Sequence, residues 1–297
     1  MPLCTLHLLA LHGTTPNPLL TFLSTLKSSN VSPLVISRVI RWIILPSQIS
    51  TEHLLAQNIH WDLLLILPNT RPLPSELQKL VQHQWNITAG VPSRLIQDFS
   101  SKNNALLHPN ASSVPALSTQ SAKRTTQSSQ DLELSDELNQ WIDAFVQHTA
   151  KEGTGAVSMF NLLSFNPGMK DEYLKYGKAF AESIGSRHGG NAKIVGNVVA
   201  VNGKQKHKQQ EEQSAAAGIA QLSTDGQVRA EPGEWDEISL AHYPSICHFR
   251  DMLTSEAYQA VNKRHRVPSL RDTCILMTSE VGVEEMVVGG GKGGAKL

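Results

Sequence analysis

The chain has 297 residues, of which 40% are hydrophobic, so it can form a sizeable core in two ordinary domains or one double domain. Its 26 basic residues balance its 26 acidic residues, and a net charge of zero gives no general attraction to nucleic acid or to an anionic membrane surface. No apolar run approaches the ~20 residues of a membrane-spanning helix. We therefore expect neither nucleic acid nor a membrane as a partner.

The three cysteines, Cys4, Cys247 and Cys274, show no metal-binding spacing. An odd number argues against a disulfide framework and for a reducing compartment. The sequence also lacks a phosphate-binding loop, a dinucleotide fingerprint and the serine-centred motif of hydrolases. We therefore expect a protein with neither a metal site nor an organic cofactor.

Strands and helices alternate over residues 1–99, which we call the first half. The apolar strand Thr5–His12 precedes a helix at Pro18–Lys27 that has one apolar face. The alternation continues with a strand at Leu34–Leu45, a short helix at Ser50–Gln57, a strand at Trp61–Leu67, an amphipathic helix at Pro74–Trp85 and a further helical piece at Val91–Phe99.

Three stretches have the composition of unstructured chain. Residues 100–134 are predicted to be a flexible linker, because Ser100–Gln130 is rich in small polar residues and poor in large apolar ones. Residues 203–233 are predicted to be a disordered insertion between two strands. The glycine-rich residues 289–297 are predicted to be a flexible tail.

Residues 135–288, which we call the second half, repeat the alternation of strands and helices. Ser135 is suited to cap a helix at Asp136–Thr149. The predicted elements that follow are a strand at 156–165, a helix at Lys170–His188, strands at Lys193–Val201 and Trp235–Tyr243, a helix at Ile246–Arg264 and a strand at Thr273–Thr278. This β-α-β-β-α-β order is the ferredoxin-like motif.

A short sequence recurs in the two halves. Trp61-Asp62 and Trp235-Asp236 each open an apolar strand that ends at a proline and leads into a predicted helix. From this we infer an internal repeat of two diverged ferredoxin-like units. The predicted fold class is α+β, with tandem βαββαβ units in one chain.

Polar side chains interrupt or extend the apolar stripes of the second half. His188 extends the stripe of its helix to the inward end, although a histidine there is also favoured by the helix dipole alone. His265 extends the stripe of the second helix, with Arg266 beside it. Asn161 interrupts the first strand, and a buried asparagine needs partners. We expect these side chains, together with His242 of the strand Trp235–Tyr243, to surround one cavity.

The candidate catalytic residues are His188 and Arg266. A histidine exchanges protons near neutral pH, and a guanidinium holds a carboxylate or an enolate oxygen. The expected substrate-binding residues are Asn161, Tyr173, His242, Tyr258 and His265.

The second half resembles a known superfamily over about residues 156–280. The segments that carry the resemblance are Phe160-Asn-Leu-Leu-Ser-Phe165, Glu172-Tyr-Leu-Lys-Tyr-Gly177, Arg187-His-Gly-Gly190, Trp235-Asp236, His242-Tyr-Pro-Ser245 and Ser255-Glu-Ala-Tyr-Gln-Ala260 with Arg266. They are similar to a domain-of-unknown-function branch of the dimeric α/β-barrel superfamily, related to EthD-like and YCII-like proteins. The first half has no His-Gly-Gly and no Tyr-Pro-Ser, so we expect any single pocket in the second half.

The resemblance implies two ferredoxin-like units that pack their sheets into a barrel, here within one chain that is either a monomer acting as a pseudo-dimer or a homodimer. Relatives in the superfamily mostly act on small, often aromatic or polyketide-like molecules without a metal or an organic cofactor. We therefore expect a small-molecule ligand and a cofactor-independent enzyme of the isomerase or cyclase type. The alternative is a non-catalytic module for ligand binding or protein interaction.

The chain ends in Ala295-Lys296-Leu297, a close variant of the Ser-Lys-Leu address that a peroxisomal import receptor reads. Such an address must be accessible, and the glycines before it favour an extended tail. We therefore expect a peroxisomal location, and otherwise a cytoplasmic one.

The location can be tested in a eukaryotic cell with a fluorescent protein fused to the N-terminus of the chain. We expect puncta that coincide with peroxisomes, because the C-terminus stays free for the receptor. A matched fusion without residues 295–297 should be diffuse. A diffuse signal from both fusions would rule out the import signal.

Overall fold

The computed structural model describes residues 1–118, 125–149, 151–206 and 234–292, with side chains up to residue 287. Most of the insertion predicted at residues 203–233 and the targeting residues Ala295, Lys296 and Leu297 therefore lie outside the described part of the chain. No helix within these ranges is both long and apolar enough to cross a bilayer.

The described chain contains nine strands. They are β1 (Leu3–Leu11), β2 (Val35–Ile44), β3 (Leu63–Leu67), β4 (Val81–Gly90), β5 (Val157–Phe165), β6 (Asn191–Val201), β7 (Lys204–Gln205), β8 (Glu237–Tyr243) and β9 (Leu270–Ser279).

The helices are α1 (Pro18–Ser28), α2 (Ser75–Gln78), α3 (Ser93–Ile96), α4 (Phe99–Leu107), α5 (Asp136–His148), α6 (Lys151–Thr154), α7 (Lys170–Ala179), α8 (Gly185–Arg187), α9 (Ile246–Thr254), α10 (Glu256–Val261) and α11 (Glu280–Lys292). Three π-helical turns occur at Glu52–Ala56, Phe180–Ile184 and Asn262–Arg266, and two 3₁₀ turns at Ala111–Ser113 and Val267–Ser269.

The strand order is that of two ferredoxin-like sheets joined edge to edge. The first half contributes β4-β1-β3-β2 and the second half contributes β9-β5-β8-β6, all antiparallel. Pairing of β2 with β9 and of β4 with β6 joins the two sheets at both sides. The predicted fold class, tandem βαββαβ units that form an α/β barrel within one chain, is therefore confirmed.

The interior of the barrel is filled by apolar side chains from every second strand residue, as the alternation of a strand requires. Leu6, Leu8, Ile66, Phe160 and Leu240 are at most 1% exposed and belong to one continuous core. Helices cover the outer faces, with separate apolar layers for the first half and the second half. A ligand site must therefore lie between the sheet and a helix layer or at the ends of the barrel.

The Trp-Asp dipeptides occupy the same place in both halves. The Asp62 carboxylate accepts a hydrogen bond from Leu11 N at 2.7 Å, and the Asp236 carboxylate accepts one from Phe165 N at 2.7 Å. Asp62 N donates to Leu9 O at 2.8 Å, and Asp236 N donates to Leu163 O at 2.8 Å. These contacts make the strand following Asp62 equivalent to the strand following Asp236. That the halves arose by duplication stays a prediction.

The helix predicted at Pro74–Trp85 is wrong. Only Ser75–Gln78 is helical, and Val81–Gly90 is strand β4. Trp85, Ile87 and Ala89 point alternately into the barrel, so pairing with β1 and β6 outweighs the helical pattern of the isolated segment. The outer face of β4 consequently lacks a long helix above it.

Two other predictions differ from the structure, one near the predicted linker and one near the predicted tail. The helical piece predicted at Val91–Phe99 is only the single turn α3, and α4 extends into the segment predicted as linker, where Asn103 is buried. Helix α11 likewise includes the first residues of the predicted tail, 289–292. In α4, burial of Phe99 and Asn103 stabilises a helix in a stretch whose composition alone favours disorder.

Asp272, near the start of β9, connects the two halves. Its carboxylate accepts hydrogen bonds from Ser47 N (3.0 Å), Ser47 Oγ (2.9 Å), Gln48 N (2.8 Å), Ile49 N (2.8 Å) and Thr273 N (2.9 Å). Because the side chain is 4% exposed, loss of the carboxylate would leave several buried amides unpaired, each at a cost of about 1–3 kcal/mol.

Candidate functional site

The outer face of the sheet differs between the halves at three equivalent positions. After Asp62, strand β3 presents Leu63, Leu65 and Leu67 to the helix layer, and each is at most 2% exposed. After Asp236, strand β8 presents Glu237, Ser239 and Ala241 instead. At two of the three positions, Ser239 and Ala241, the second half therefore has a much smaller side chain than leucine between its sheet and its helices.

Solvent reaches this space. Asn161 lies in the middle of the central strand β5, opposite Ser239 of β8, and both residues are partly exposed, as is Ala241. In the first half, His7 lies at the position equivalent to Asn161 and is 3% exposed. We call the space beside Asn161, Ser239 and Ala241, between the sheet and the layer formed by α7 and α10, the inter-layer cleft.

Both helices that cover the cleft contain a π-helical turn. Phe180–Ile184 separates α7 from α8, and Asn262–Arg266 follows α10. Such turns are rare and are frequent at functional sites, because they re-aim side chains that a regular helix would place elsewhere. Here they contribute buried Phe180 and buried Arg266 to the second half.

Four buried tyrosines gather between the sheet and the helices. Tyr173 and Tyr176 come from α7, Tyr258 from α10 and Tyr243 from the end of β8. The ring centroids of Tyr173 and Tyr176 are 5.4 Å apart, and the hydroxyls of Tyr176 and Tyr258 are 3.4 Å apart. Burial raises the pKa of all four hydroxyls above the usual value, so they remain neutral hydrogen-bond donors and acceptors.

Arg266 is a buried cation without a carboxylate partner among the described residues. It is 2% exposed, and its one hydrogen bond within that part of the chain runs from Nη2 to Thr273 Oγ1 at 3.4 Å. Its charge opposes the rise in pKa of the tyrosine hydroxyls. Since buried charges are normally paired, a guanidinium in this state favours an anionic or strongly polar ligand group.

Glu237 lies at the same end of the cleft as Arg266. Glu237 is opposite Leu163 on β5, and Leu163 is opposite Thr273 on β9, the residue that binds Arg266. Burial raises the pKa of Glu237 to about 6, although Lys170 Nζ, 4.0 Å from Oε2, opposes the rise. A carboxylate with this pKa both accepts and returns protons near neutral pH.

Among the predicted site residues, Asn161 borders the cleft, Tyr173 and Arg266 are buried near Glu237, and Tyr258, which is 0% exposed, packs beside Tyr176. His242 does not reach the cleft, because His242 lies on the barrel face of β8 with Ile238 and Leu240 rather than with Ser239. It is 2% exposed, and burial lowers its pKa to about 3. The expectation that His242 and Asn161 face one cavity is therefore corrected.

His188 lies beyond the far end of the cleft. The following residue, Gly189, packs against Pro244 just after β8, and β8 places about 20 Å between its two ends. His188 Nδ1 is 2.9 Å from Asp251 Oδ2 of α9. Tyr173 and His188 are 15 positions apart along the helical segment, which at 1.5 Å per residue separates them by about 22 Å, so the stripe carries His188 to the end remote from Arg266.

His265 connects the two covering helices from outside the cleft. Its Nδ1 is 2.5 Å from Glu172 Oε1 on α7. Glu172 also binds Lys175, which together with His265 lowers the pKa of this carboxyl. We therefore interpret His265 as a residue that holds the π-helical turn Asn262–Arg266 against α7. It is not a group that faces the cleft.

Glu237, Tyr176 and Tyr243 were not predicted as site residues. The alternation of β8 placed Glu237, Ser239 and Tyr243 on one face, and a face with a carboxylate and a serine is typical of a solvent-exposed surface. The sequence contained one indication of their role. In a βαββαβ unit the helices cover one face of the sheet, so polar residues on that face of β8 become buried. Within the described ranges, no group of three or more histidine, cysteine or acidic residues is placed to hold a metal ion.

No family model and no curated protein matches this chain. A solved structure of a "putative monooxygenase" from Lactobacillus acidophilus NCFM is similar at 8% identity, covering 94% of this chain and 93% of that one, with a TM-score of 0.41. An anthrone oxidase-like protein is similar at 11% identity over 95% and 94% of the two chains, with a TM-score of 0.33. A protein of unknown function from Rhodopseudomonas palustris is similar at 17% identity over 49% of this chain and 92% of that one, with a TM-score of 0.30.

The raised pKa of Glu237 predicts a specific dependence of stability on pH. A carboxyl whose folded pKa, about 6, exceeds its usual value of 4.5 contributes stability below pH 4.5 that is lost as the pH rises through 6. The shift corresponds to about 2 kcal/mol. Glu237→Gln should therefore match the wild type near pH 4.5 and exceed its free energy of unfolding by about 2 kcal/mol at pH 8.

Urea unfolding at several pH values measures this difference. Glu256→Gln, at an exposed position on α10, is the matched control and should show no such divergence with pH. A difference between Glu237→Gln and the wild type that stays constant from pH 4.5 to 8 would contradict the buried environment of the carboxyl.

Proposed function

We propose that the second half binds a small organic molecule in the inter-layer cleft and transfers a proton within it without a cofactor. The observation that supports this most is the replacement of three buried leucines by Glu237, Ser239 and Ala241 on an otherwise equivalent frame. A sheet face that needed only to pack against helices would favour large apolar residues there. Space and polar groups together at one place are typical of a ligand site.

The walls of the cleft suit a flat, largely apolar ligand with a few oxygen atoms. The rings of Tyr173 and Tyr176, each 9% exposed, offer aromatic surface with neutral hydroxyls at the edge, and the ring of Tyr258 packs against Tyr176. The Asn161 amide nitrogen donates to Met159 O at 2.8 Å, which leaves its carbonyl oxygen, unpaired among the described residues, as an acceptor for a ligand. An aromatic or polyketide-like molecule has this chemistry.

The proposed step is the removal and return of one proton beside a carbonyl group. The Glu237 carboxylate takes a proton from the carbon next to the carbonyl, and the electron pair of that C–H bond moves to the carbonyl oxygen to give an enolate. Arg266 stabilises the enolate oxygen by its charge and its N–H groups. In a substrate with a carbon–carbon double bond next to that carbon, the anion is a dienolate, and Glu237 returns the proton to the far carbon of the former double bond. The double bond moves into conjugation with the carbonyl group, so the product is an isomer of the substrate and no oxidant is needed.

A pKa of about 6 suits Glu237 to this role, because the group is mostly ionised at neutral pH and yet more basic than an exposed glutamate. We assign the proton transfer to Glu237 rather than to His188, which binds Asp251 outside the cleft. In this proposal His188 and His265 position the covering helices, and Tyr173, Tyr258 and Asn161 bind the substrate.

Solvent exchange tests the proposal without knowledge of the natural substrate. A panel of enolisable aromatic ketones is incubated with the protein in D₂O, and loss of the α-proton signal is followed by ¹H NMR. We expect at least one ketone to exchange faster than in buffer, with a rate that rises through about pH 6, and the acceleration to be lost in Glu237→Gln and kept in the control Glu256→Gln.

The outcomes separate the proposal from its alternative. Ketones that bind, as judged by line broadening, but exchange no faster than in buffer would indicate a non-catalytic ligand-binding protein. Acceleration that survives Glu237→Gln would show that another group is the base.

A further inference from the structure

A second cavity lies where the two halves meet, on the far side of Arg266 from the tyrosines. Its volume is about 170 Å³. Side chains from both halves line it, among them Ser47 after β2, and Arg271, Asp272 and Thr273 from β9, together with Arg266. We call it the junction cavity.

Most polar groups in the wall of the junction cavity are already paired. Both oxygens of Asp272 accept hydrogen bonds from the segment Ser47–Ile49, and Ser47 Oγ is one of the donors. Thr273 Oγ1 donates to Leu162 O at 3.0 Å, and Gln130 Nε2 donates to Leu45 O at 3.0 Å. These groups have little capacity left for a ligand.

The two arginines of the cavity are the exception. Arg271 Nη2 donates to Ser164 Oγ at 2.7 Å and to Glu234 O at 3.4 Å, but its Nε is buried and has no partner among the described residues. Arg266 uses one N–H group, at 3.4 Å, and neither arginine has a carboxylate within ion-pair distance in that part of the chain. Because a guanidinium carries five N–H donors, most donors of the pair are unused.

The two acidic residues that line the cavity, Asp272 and Asp131, do not form ion pairs with its arginines. Both oxygens of Asp272 already accept hydrogen bonds, and Asp131, an exposed residue of the lining, forms no ion pair with either arginine within the described residues. Arg266, which is buried, and Arg271, which is partly buried, therefore line the cavity without a bound carboxylate in that part of the chain. Buried charges in folded proteins are normally paired, so Arg266 lacks a counter-ion there.

We propose that the junction cavity binds an oxyanion group, a phosphate or a carboxylate, between Arg266 and Arg271. The planar guanidinium fork matches the spacing of oxygen atoms in both groups. A water molecule takes about 30 Å³ of liquid volume, so the cavity has room for one oxyanion and a few waters rather than for a large ligand. The site shares Arg266 with the proposed proton transfer, but Arg271 has no part in that transfer, so variants of Arg271 test the oxyanion site separately.

Thermal unfolding of the full chain tests the site with inorganic phosphate and acetate as probes, in Tris chloride at constant pH and ionic strength. A ligand that binds only the folded state raises Tm with its concentration, by about 5 °C at 100 times Kd. We expect a saturable rise with at least one probe. A larger effect of phosphate would identify a phosphate group as the ligand, and a larger effect of acetate a carboxylate.

The variants separate this site from general salt effects, which stabilise all variants equally and do not saturate. Arg271→Gln should lose the saturable rise, measured from its own Tm without probe. Arg264→Gln removes the same charge from an exposed position seven residues earlier and should keep it. If Arg271→Gln does not fold, Arg271→Lys replaces it and should bind at least 10-fold more weakly, since lysine lacks the fork. An equal rise in Arg271→Gln and Arg264→Gln, or no saturable rise in the wild type, would overturn the proposal.

Discussion

Closure of the barrel is the constraint on which the rest of the structure depends. Each half alone would expose the outer strand edges β2 and β4 or β6 and β9, and unpaired edges invite aggregation. The β2–β9 and β4–β6 pairings remove these edges, and Asp272 fastens the start of β9 to the chain after β2. One chain therefore closes the barrel that separate βαββαβ subunits would close by association. Because the apolar interior supplies the common core, the outer helix layers can differ between the halves.

The outer layers of the two halves differ in their packing. In the first half, leucines from β3 pack against α1, and the second helix is reduced to one turn. In the second half, long helices with π-helical turns cover a face that holds Glu237, Ser239 and Ala241. Burying a carboxylate and a guanidinium there costs stability, which a ligand bound at the proposed site would offset. Arg266 lies between this cleft and the junction cavity, so both share one buried charge.

The sequence supported the fold better than the site. Apolar runs ending at prolines predicted most strands, and the Trp-Asp pairs indicated equivalent positions before any contact was known. Val81–Gly90 was misassigned because its pairing with β1 and β6 joins segments far apart in the chain, which a local pattern does not contain. His188 was misplaced because an apolar stripe identifies one face of a helix but not which end of that face borders the cleft. Glu237 was missed because alternation separates two faces of a strand but does not say which one a helix will cover.

The free energy of unfolding of Ser239→Leu tests the central claim, that space exists between the sheet and the helices of the second half. The substitution restores the leucine that the first half has at the equivalent position, Leu65. If the cleft exists, the added side chain fills it, and we predict a stability equal to or above that of the wild type in urea unfolding. The same change at Ser158, which is 2% exposed on β5, should be destabilising. A loss of about 1–3 kcal/mol for Ser239→Leu, the usual cost of overpacking, would contradict the account.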